Sequence, residues 1–158
     1  PEVDESYPDT LSGEEIPLYI SQEKAAAYRR FMKDNTLLIT ADTIVWLDGK
    51  VYGKPRNTAD AKAMLQALSG KTHTVITGVT LTSLQKQISF AVSTEVTFAA
   101  LGDDEIDYYV ETYRPLDKAG AYGVQEWIGY IGVTGLKGSY YNVMGLPIQR
   151  LYTELKKF

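Results

Sequence analysis

The order of apolar and polar residues predicts a mixture of helices and strands. A helix is expected over Ile16–Phe31, where apolar positions recur at near-helical spacing around three consecutive alanines. Asp48-Gly49 is typical of a two-residue hairpin turn between strands. The strand-like segments in this region are Thr36–Thr40, Ile44–Leu47 and Val51–Tyr52. Since Asp42 follows the first of them, we expect its carboxylate at the end of a strand.

The second half of the chain continues the mixture. A helix is expected to begin at Asn57 or Thr58 and to end before Gly70, because these residue types cap helices. The other predicted elements are strands at Thr72–Leu81 and Ile88–Phe98, paired as a hairpin, a helix capped by Asp103 and ending near Tyr113, a strand at Tyr130–Thr134, and a last helix starting at Pro147. Without strict strand–helix–strand alternation, this order favours a single α/β domain with a mixed sheet.

Composition limits the chemistry that the chain can perform. Its 158 residues carry 16 Lys and Arg against 20 Asp and Glu, a net charge of −4 that argues against a nucleic-acid polymer as partner. There is no cysteine and a single histidine, which excludes thiol nucleophiles and multi-histidine metal sites. The sequence lacks an apolar run of membrane-spanning length and an apolar leader, so we expect a soluble, cytoplasmic protein. Carboxylates, lysines, hydroxyls and a hard metal ion remain as reactive groups.

A few polar residues could carry chemistry, although each also has an ordinary structural interpretation. Asp42 is either a turn residue or a carboxylate presented to a cleft, and Lys54, between Gly and Pro, has a cationic reach suited to phosphate. The loop at 117–125 contains two glycines and two alanines, which lets a flat ligand approach the backbone. The segment at 69–73 is better explained as a helix C-cap than as a phosphate nest, and His73 as a structural hydrogen-bonding residue.

Seven segments, in order, resemble the Maf family of nucleotide pyrophosphatases. They are VDES at 3–6, QEKA at 22–25, ADTIV at 41–45, GKP at 53–55, SGKTHTVITGV at 69–79, PLDKAGAYGVQ at 115–125 and NVMGLP at 142–147. The set covers nearly the whole chain, and the ordered set is more specific than any single segment. The resemblance implies a two-lobed α/β fold around a cleft, similar to the inosine triphosphate pyrophosphatases, with a mixed twisted sheet and flanking helices.

The resemblance also implies an activity and its residues. The expected reaction is hydrolysis of a nucleoside triphosphate to the monophosphate and pyrophosphate with Mg²⁺ or Mn²⁺. Asp42 matches the family's proposed proton acceptor, and Glu5, Lys24 and Lys54 match charged positions associated with activity. Asp42 and Glu5 are the expected metal ligands, while Thr43, Lys118 and Gln125 are expected to bind substrate. Thr43 and Gln125 resemble the branch that prefers dTTP and UTP.

Two other functions remain open at this stage. One is a pyrophosphatase for modified purine nucleotides, and the other is a non-catalytic nucleotide-binding module linked to septum formation. A homodimer is compatible with either. Family members also open with a strand and a Ser-x-Ser-Pro-Arg-Arg loop that has no counterpart in the sequence from Pro1 onward. We therefore expect a chain that begins at Pro1 to bind nucleotide weakly and to turn it over slowly.

Overall fold

A five-stranded antiparallel sheet lies at the centre of the structure, a computed structural model that describes residues 1–158. The strands are β1 Leu38–Leu47, β2 Lys50–Tyr52, β3 Thr72–Thr82, β4 Gln87–Phe98 and β5 Val133–Lys137, in the spatial order β2-β1-β3-β4-β5. The helices are α1 Glu15–Tyr28, α2 Thr58–Leu68, α3 Asp103–Tyr113, α4 Trp127–Gly132, α5 Tyr140–Met144 and α6 Ile148–Lys157. Two short 3₁₀ turns lie at Arg29–Phe31, after α1, and at Ala119–Ala121, between α3 and α4.

The predicted α/β class with flanking helices is confirmed, and most elements lie where the sequence predicts them. Asn57 caps α2 by accepting a hydrogen bond from the Asp60 amide at 2.8 Å. The turn at Asp48-Gly49 has positive φ at both residues, as the hairpin requires. All four strand pairings are antiparallel, where the sequence favoured a mixed sheet. Tight turns join β1 to β2 and β3 to β4, and such short connections permit only antiparallel pairing.

Three local predictions need correction. Asp42 lies inside β1 rather than at a strand end, because β1 pairs with β3 without interruption from Leu38 to Trp46. Gly102 is the N-cap of α3, and Asp103 is its first helical residue. The predicted strand at Tyr130–Thr134 is mostly helix, since α4 extends to Gly132 and β5 begins one residue later. Short apolar runs do not distinguish a strand from a buried helical turn.

The two faces of the sheet have different coverings. Alternation along the strands places Asp42, Ile44 and Ile76 on one face, where Ile16 and Ile20 of α1 pack against the two isoleucines. We call this the α1 face. Close approach of α1 is possible because residue 78 is glycine: a Cβ there would be 2.5 Å from the backbone of Pro17.

The opposite face carries the main hydrophobic core. Val45, Val75 and Val96 point to this side and pack with side chains of α2, α3 and the loop at 117–125. We call it the loop face. No helix of the structure has the length and apolar character needed to cross a membrane.

β1 has a partner on both sides only near its end. β2 pairs with Val45–Leu47, whereas β3 pairs with β1 from Leu38 onward. The first part of β1 therefore has a neighbouring strand on one side only, and Asp42 and Thr43 lie in this part. A ligand at this edge can reach side chains from both faces of the sheet.

Candidate functional site

A cavity of about 240 Å³ lies at the open edge of β1. Asp42 and Lys24 line it from the α1 face, whereas Thr43, Val45 and Val75 line it from the loop face. The remaining lining residues come from β1, the turn after β2, the loop at 117–125 and the region of α5: Ala41, Lys54, Asp117, Lys118, Ala119, Tyr122, Gly123, Gln125, Val143, Met144 and Gly145. The cavity thus joins a charged end, at Asp42 and Lys24, to a more apolar end lined by Val45, Val75 and Tyr122, although Asp117 and Lys118 come from the same loop as Tyr122.

A cluster of two carboxylates and two ammonium groups forms the charged end. Lys24 Nζ lies 3.5 Å from Asp42 Oδ1 and 3.7 Å from Glu5 Oε2, and it donates a hydrogen bond to the Ala41 carbonyl at 3.0 Å. Lys54 Nζ lies 4.0 Å from the other oxygen of Glu5. Four residues from separate parts of the sequence are therefore brought together.

Burial distinguishes Asp42 within this cluster. Its side chain is 10% exposed, compared with 40% for Glu5 and 59% for Lys54. Burial raises the pKa of Asp42 to about 6, despite the opposing effect of the Lys24 charge. A carboxylate with this pKa accepts a proton near neutral pH more readily than an ordinary aspartate does.

The expected substrate-binding residues Thr43, Lys118 and Gln125 all line the cavity. Thr43 Oγ1 lies 2.8 Å from Thr77 Oγ1 and 3.4 Å from the Gly145 carbonyl, so it links β1 to the chain after α5. Lys118 Nζ lies 3.3 Å from the exposed carboxylate of Asp117. Glu5 does not line the cavity, but it contacts Lys24 and Lys54, which do.

The loop at 117–125 is held in place from two directions. The Gly120 amide donates to the Gly53 carbonyl at 3.1 Å, which ties the loop to the residue preceding Lys54. On the other side, the buried Tyr109 hydroxyl donates to Glu126 Oε1 at 2.6 Å and accepts from the Gly123 amide at 3.0 Å. The loop is thus fixed relative to both the charged end of the cavity and α3.

Two residues that shape the site were given no role by the sequence analysis, although Asn142 begins the segment NVMGLP. Asn142 is completely buried, and its amide nitrogen contacts Val75 O, Val92 O and Thr94 Oγ1 at 2.9–3.2 Å, which anchors α5 to the sheet. Tyr109 lies within the helix predicted from Asp103 to near Tyr113, but no role of its own was predicted for it. Both residues have ordinary local contexts, and their roles depend on contacts with segments distant in sequence.

The predictions for the segment at 69–73 are confirmed. Ser69 is the C-cap of α2 and Gly70 has a φ of 69°, so the segment ends the helix. His73 is buried in β3, with Nε2 2.6 Å from the Tyr122 hydroxyl.

Asp42 and Glu5 have the chemistry expected of ligands for a hard divalent cation. Mg²⁺ is commonly held by one or two carboxylates, with substrate phosphates and water completing its coordination. The Lys24 ammonium lies within 3.7 Å of both carboxylates, so the two groups already converge on a common cationic position. No group of three or more Asp, Glu, His or Cys side chains is arranged to hold a metal, so a cation here needs ligands from the substrate or water.

The sheet, the charged cluster and the cavity at the strand edge define an α/β protein with a site suited to a phosphorylated ligand. The chain belongs to the Maf family, whose model, described as Maf-like protein, matches residues 1–158. Among its relatives, the dTTP/UTP pyrophosphatase of Phocaeicola vulgatus is 68% identical over 157 residues, covering 99% of this chain and 81% of that protein. The dTTP/UTP pyrophosphatases of Bacteroides fragilis and Flavobacterium psychrophilum are 64% and 47% identical, covering 99% and 98% of this chain and 81% and 79% of those proteins.

Proposed function

We propose that this chain hydrolyses dTTP and UTP to the monophosphate and pyrophosphate. The observation that carries the proposal is the charged cluster, in which Asp42, with a largely buried side chain and a raised pKa, lies beside Lys24 at one end of the cavity. The names of the relatives, dTTP/UTP pyrophosphatase, support the substrate and the reaction. Removal of dTTP and UTP, or of modified nucleotides, would be the physiological outcome.

The charged end has the groups that this hydrolysis needs. Asp42 would accept the proton of the water that attacks the α-phosphorus, and the electron pair of the breaking α–β bridge would leave on pyrophosphate. Lys24 and Lys54 would neutralise the charge that accumulates on this leaving group. Each charge-assisted contact contributes about 1.5–3 kcal/mol, so loss of either lysine should slow the reaction roughly tenfold to a hundredfold.

A divalent cation, Mg²⁺ or Mn²⁺, is the cofactor we assign to this reaction. Asp42 and Glu5 would hold it, and when bound it would supply further neutralisation of the phosphate oxygens. Because Lys24 now balances both carboxylates, it would be displaced toward the phosphates, where its charge is also needed.

The base would occupy the more apolar end of the cavity. Gln125 has both a donor and an acceptor, the combination needed to pair with the edge of thymine or uracil. Thr43 follows Asp42 in β1, lines the cavity from the loop face and is suited to contact the sugar or the α-phosphate. The charged and apolar ends thus correspond to the two chemical ends of a nucleotide.

Pyrophosphate release is the direct test of this proposal. Wild-type protein is incubated with dTTP, UTP, GTP or ITP and with Mg²⁺ or Mn²⁺, and pyrophosphate and the monophosphate are quantified. Faster release from dTTP and UTP supports the proposal, whereas preference for ITP or another modified purine favours the purine-directed activity. Nucleotide binding without release would assign the chain to the non-catalytic alternative.

A further inference from the structure

The hydrogen-bonded pair of Tyr122 and His73 has no part in the proposed chemistry, although Tyr122 lines the cavity. Tyr122 Oη and His73 Nε2 are 2.6 Å apart, and the two residues are 6% and 1% exposed, so only a small part of the Tyr122 ring faces the cavity. The Phe98 ring contacts both residues edge-on, with centroids 4.9 Å from Tyr122 and 5.1 Å from His73. One hydrogen bond and these aromatic contacts leave the Tyr122 ring little freedom to rotate.

The ring is located at the apolar end of the cavity. His73 and Val75 are two residues apart in β3, so both point to the loop face. Val75 lines the cavity together with its cross-strand partner Val45. The charged cluster lies across the edge of β1, where Asp42 points to the α1 face. A nucleotide with its phosphates beside Asp42 would therefore bring its base toward Tyr122.

The backbone around Tyr122 is also constrained. Gly120 and Ala121 both have positive φ, 69° and 63°, which turns the chain sharply before the tyrosine. A Cβ at residue 120 would lie 2.7 Å from Val45 Cγ2, so the turn is pressed directly against β1. On the other side of Tyr122, the Gly123 amide is bonded to Tyr109. Side chain and backbone are thus fixed before any ligand binds.

We infer that the Tyr122 ring forms the wall against which the pyrimidine base packs, and that His73 is a positioning residue that holds this ring in place. This inference rests on the proposed function and adds a base-binding surface to it. A rigid aromatic wall favours a flat base because neither partner loses conformational freedom on contact. Burial lowers the pKa of His73 to about 4, so its imidazole is neutral near pH 7, as expected for a structural partner.

The test separates base binding from phosphate binding. KM and kcat for dTTP are measured together with inhibition by inorganic tripolyphosphate, which has the phosphates but no base. In Tyr122→Leu we expect KM for dTTP to rise about fivefold, the low end of what a base–aromatic contact supplies because little of the ring is exposed, and the inhibition constant of tripolyphosphate to change less than twofold. Tyr130→Leu is the matched control, because Tyr130 is 78% exposed on α4.

Three milder substitutions test the role of His73 and keep the inference falsifiable if Tyr122→Leu does not fold. Tyr122→Phe and His73→Leu each remove the hydrogen bond, and we expect both to raise KM for dTTP about threefold without altering tripolyphosphate inhibition. His73→Gln can restore a hydrogen-bonding amide near the Nε2 position, so it should recover part of the loss.

The outcomes distinguish this inference from the function on which it rests. An active wild type whose variants change dTTP and tripolyphosphate equally, or change neither, would overturn the role of Tyr122 in binding the base. Unchanged KM in both Tyr122→Phe and His73→Leu would overturn the positioning role of His73. A wild type that releases no pyrophosphate would overturn the proposed function, and the inference with it.

Discussion

At the scale of single residues, Asp42 has the environment most suited to catalysis, and its loss should be the most damaging change. We expect Asp42→Asn to reduce pyrophosphate release by about a hundredfold or more, because an amide of the same shape cannot accept the proton. Asp48→Asn is the matched control, since Asp48 is an exposed turn residue of the same hairpin, with a positive φ that Asn tolerates. More than a tenth of the wild-type rate in Asp42→Asn would remove Asp42 from the proton-accepting role.

Although Asp42→Asn should reduce activity, it should increase the free energy of unfolding near neutral pH. The folded-state pKa of Asp42 is raised from 3.8 to about 6, so ionisation opposes folding as pH rises through this interval. Relative to wild type, Asp42→Asn should therefore gain up to about 3 kcal/mol in the free energy of unfolding between pH 4 and pH 7.5. Urea denaturation in the presence of a chelator measures this gain. A stability difference that does not vary with pH would show that the Asp42 carboxylate is not destabilised by burial.

At the scale of secondary-structure elements, the sequence predicted best where local signals determine the conformation. The Asp48-Gly49 hairpin and the Asn57 cap depend on residues within a few positions of each other, and both are confirmed. The strand predicted at Tyr130–Thr134 is wrong because the α4 turn depends on a close approach to another segment. A Cβ at Gly129 would lie 1.8 Å from the Val124 carbonyl oxygen, so this turn requires glycine, and a hydrophobicity pattern does not record that requirement.

The connection between α3 and the loop at 117–125 gives a prediction at this scale. Tyr109→Phe removes the hydroxyl that bonds Gly123 and Glu126, leaving a buried amide without its partner. We expect a loss of about 1–3 kcal/mol in the free energy of unfolding, together with a higher KM for dTTP because the loop is less well fixed. Urea denaturation measures the change in the free energy of unfolding, and steady-state kinetics measure the change in KM.

Tyr108→Phe is the matched control for this change. Tyr108 precedes Tyr109 on α3 but is 50% exposed, so loss of its hydroxyl should change stability by less than about 0.5 kcal/mol. Equal effects of the two substitutions would show that the hydroxyl of Tyr109 does not hold the loop.

At the scale of the whole molecule, the site depends on the edge of β1 lying between two differently covered faces. The ordered motifs singled out four charged residues, Asp42, Glu5, Lys24 and Lys54, and in the structure these residues form one cluster. The sequence did not predict the division into charged and apolar ends, because this depends on strand register. One residue of shift in β1 would exchange Asp42 and Thr43 between the faces.

This division implies that base choice and chemistry can be altered separately, and Gln125 provides the test. If its amide pairs with the pyrimidine edge, Gln125→Ala should lower kcat/KM for dTTP and UTP roughly fivefold to a hundredfold. This corresponds to a loss of about 1–3 kcal/mol of transition-state stabilisation. Turnover of GTP and ITP should fall much less, because their edges do not match the amide in the same way. Gln66→Ala, an exposed position on α2, is the control. An equal fall for pyrimidine and purine nucleotides would show that Gln125 acts on a part common to all triphosphates, so that the base would be selected by the shape of the cavity alone.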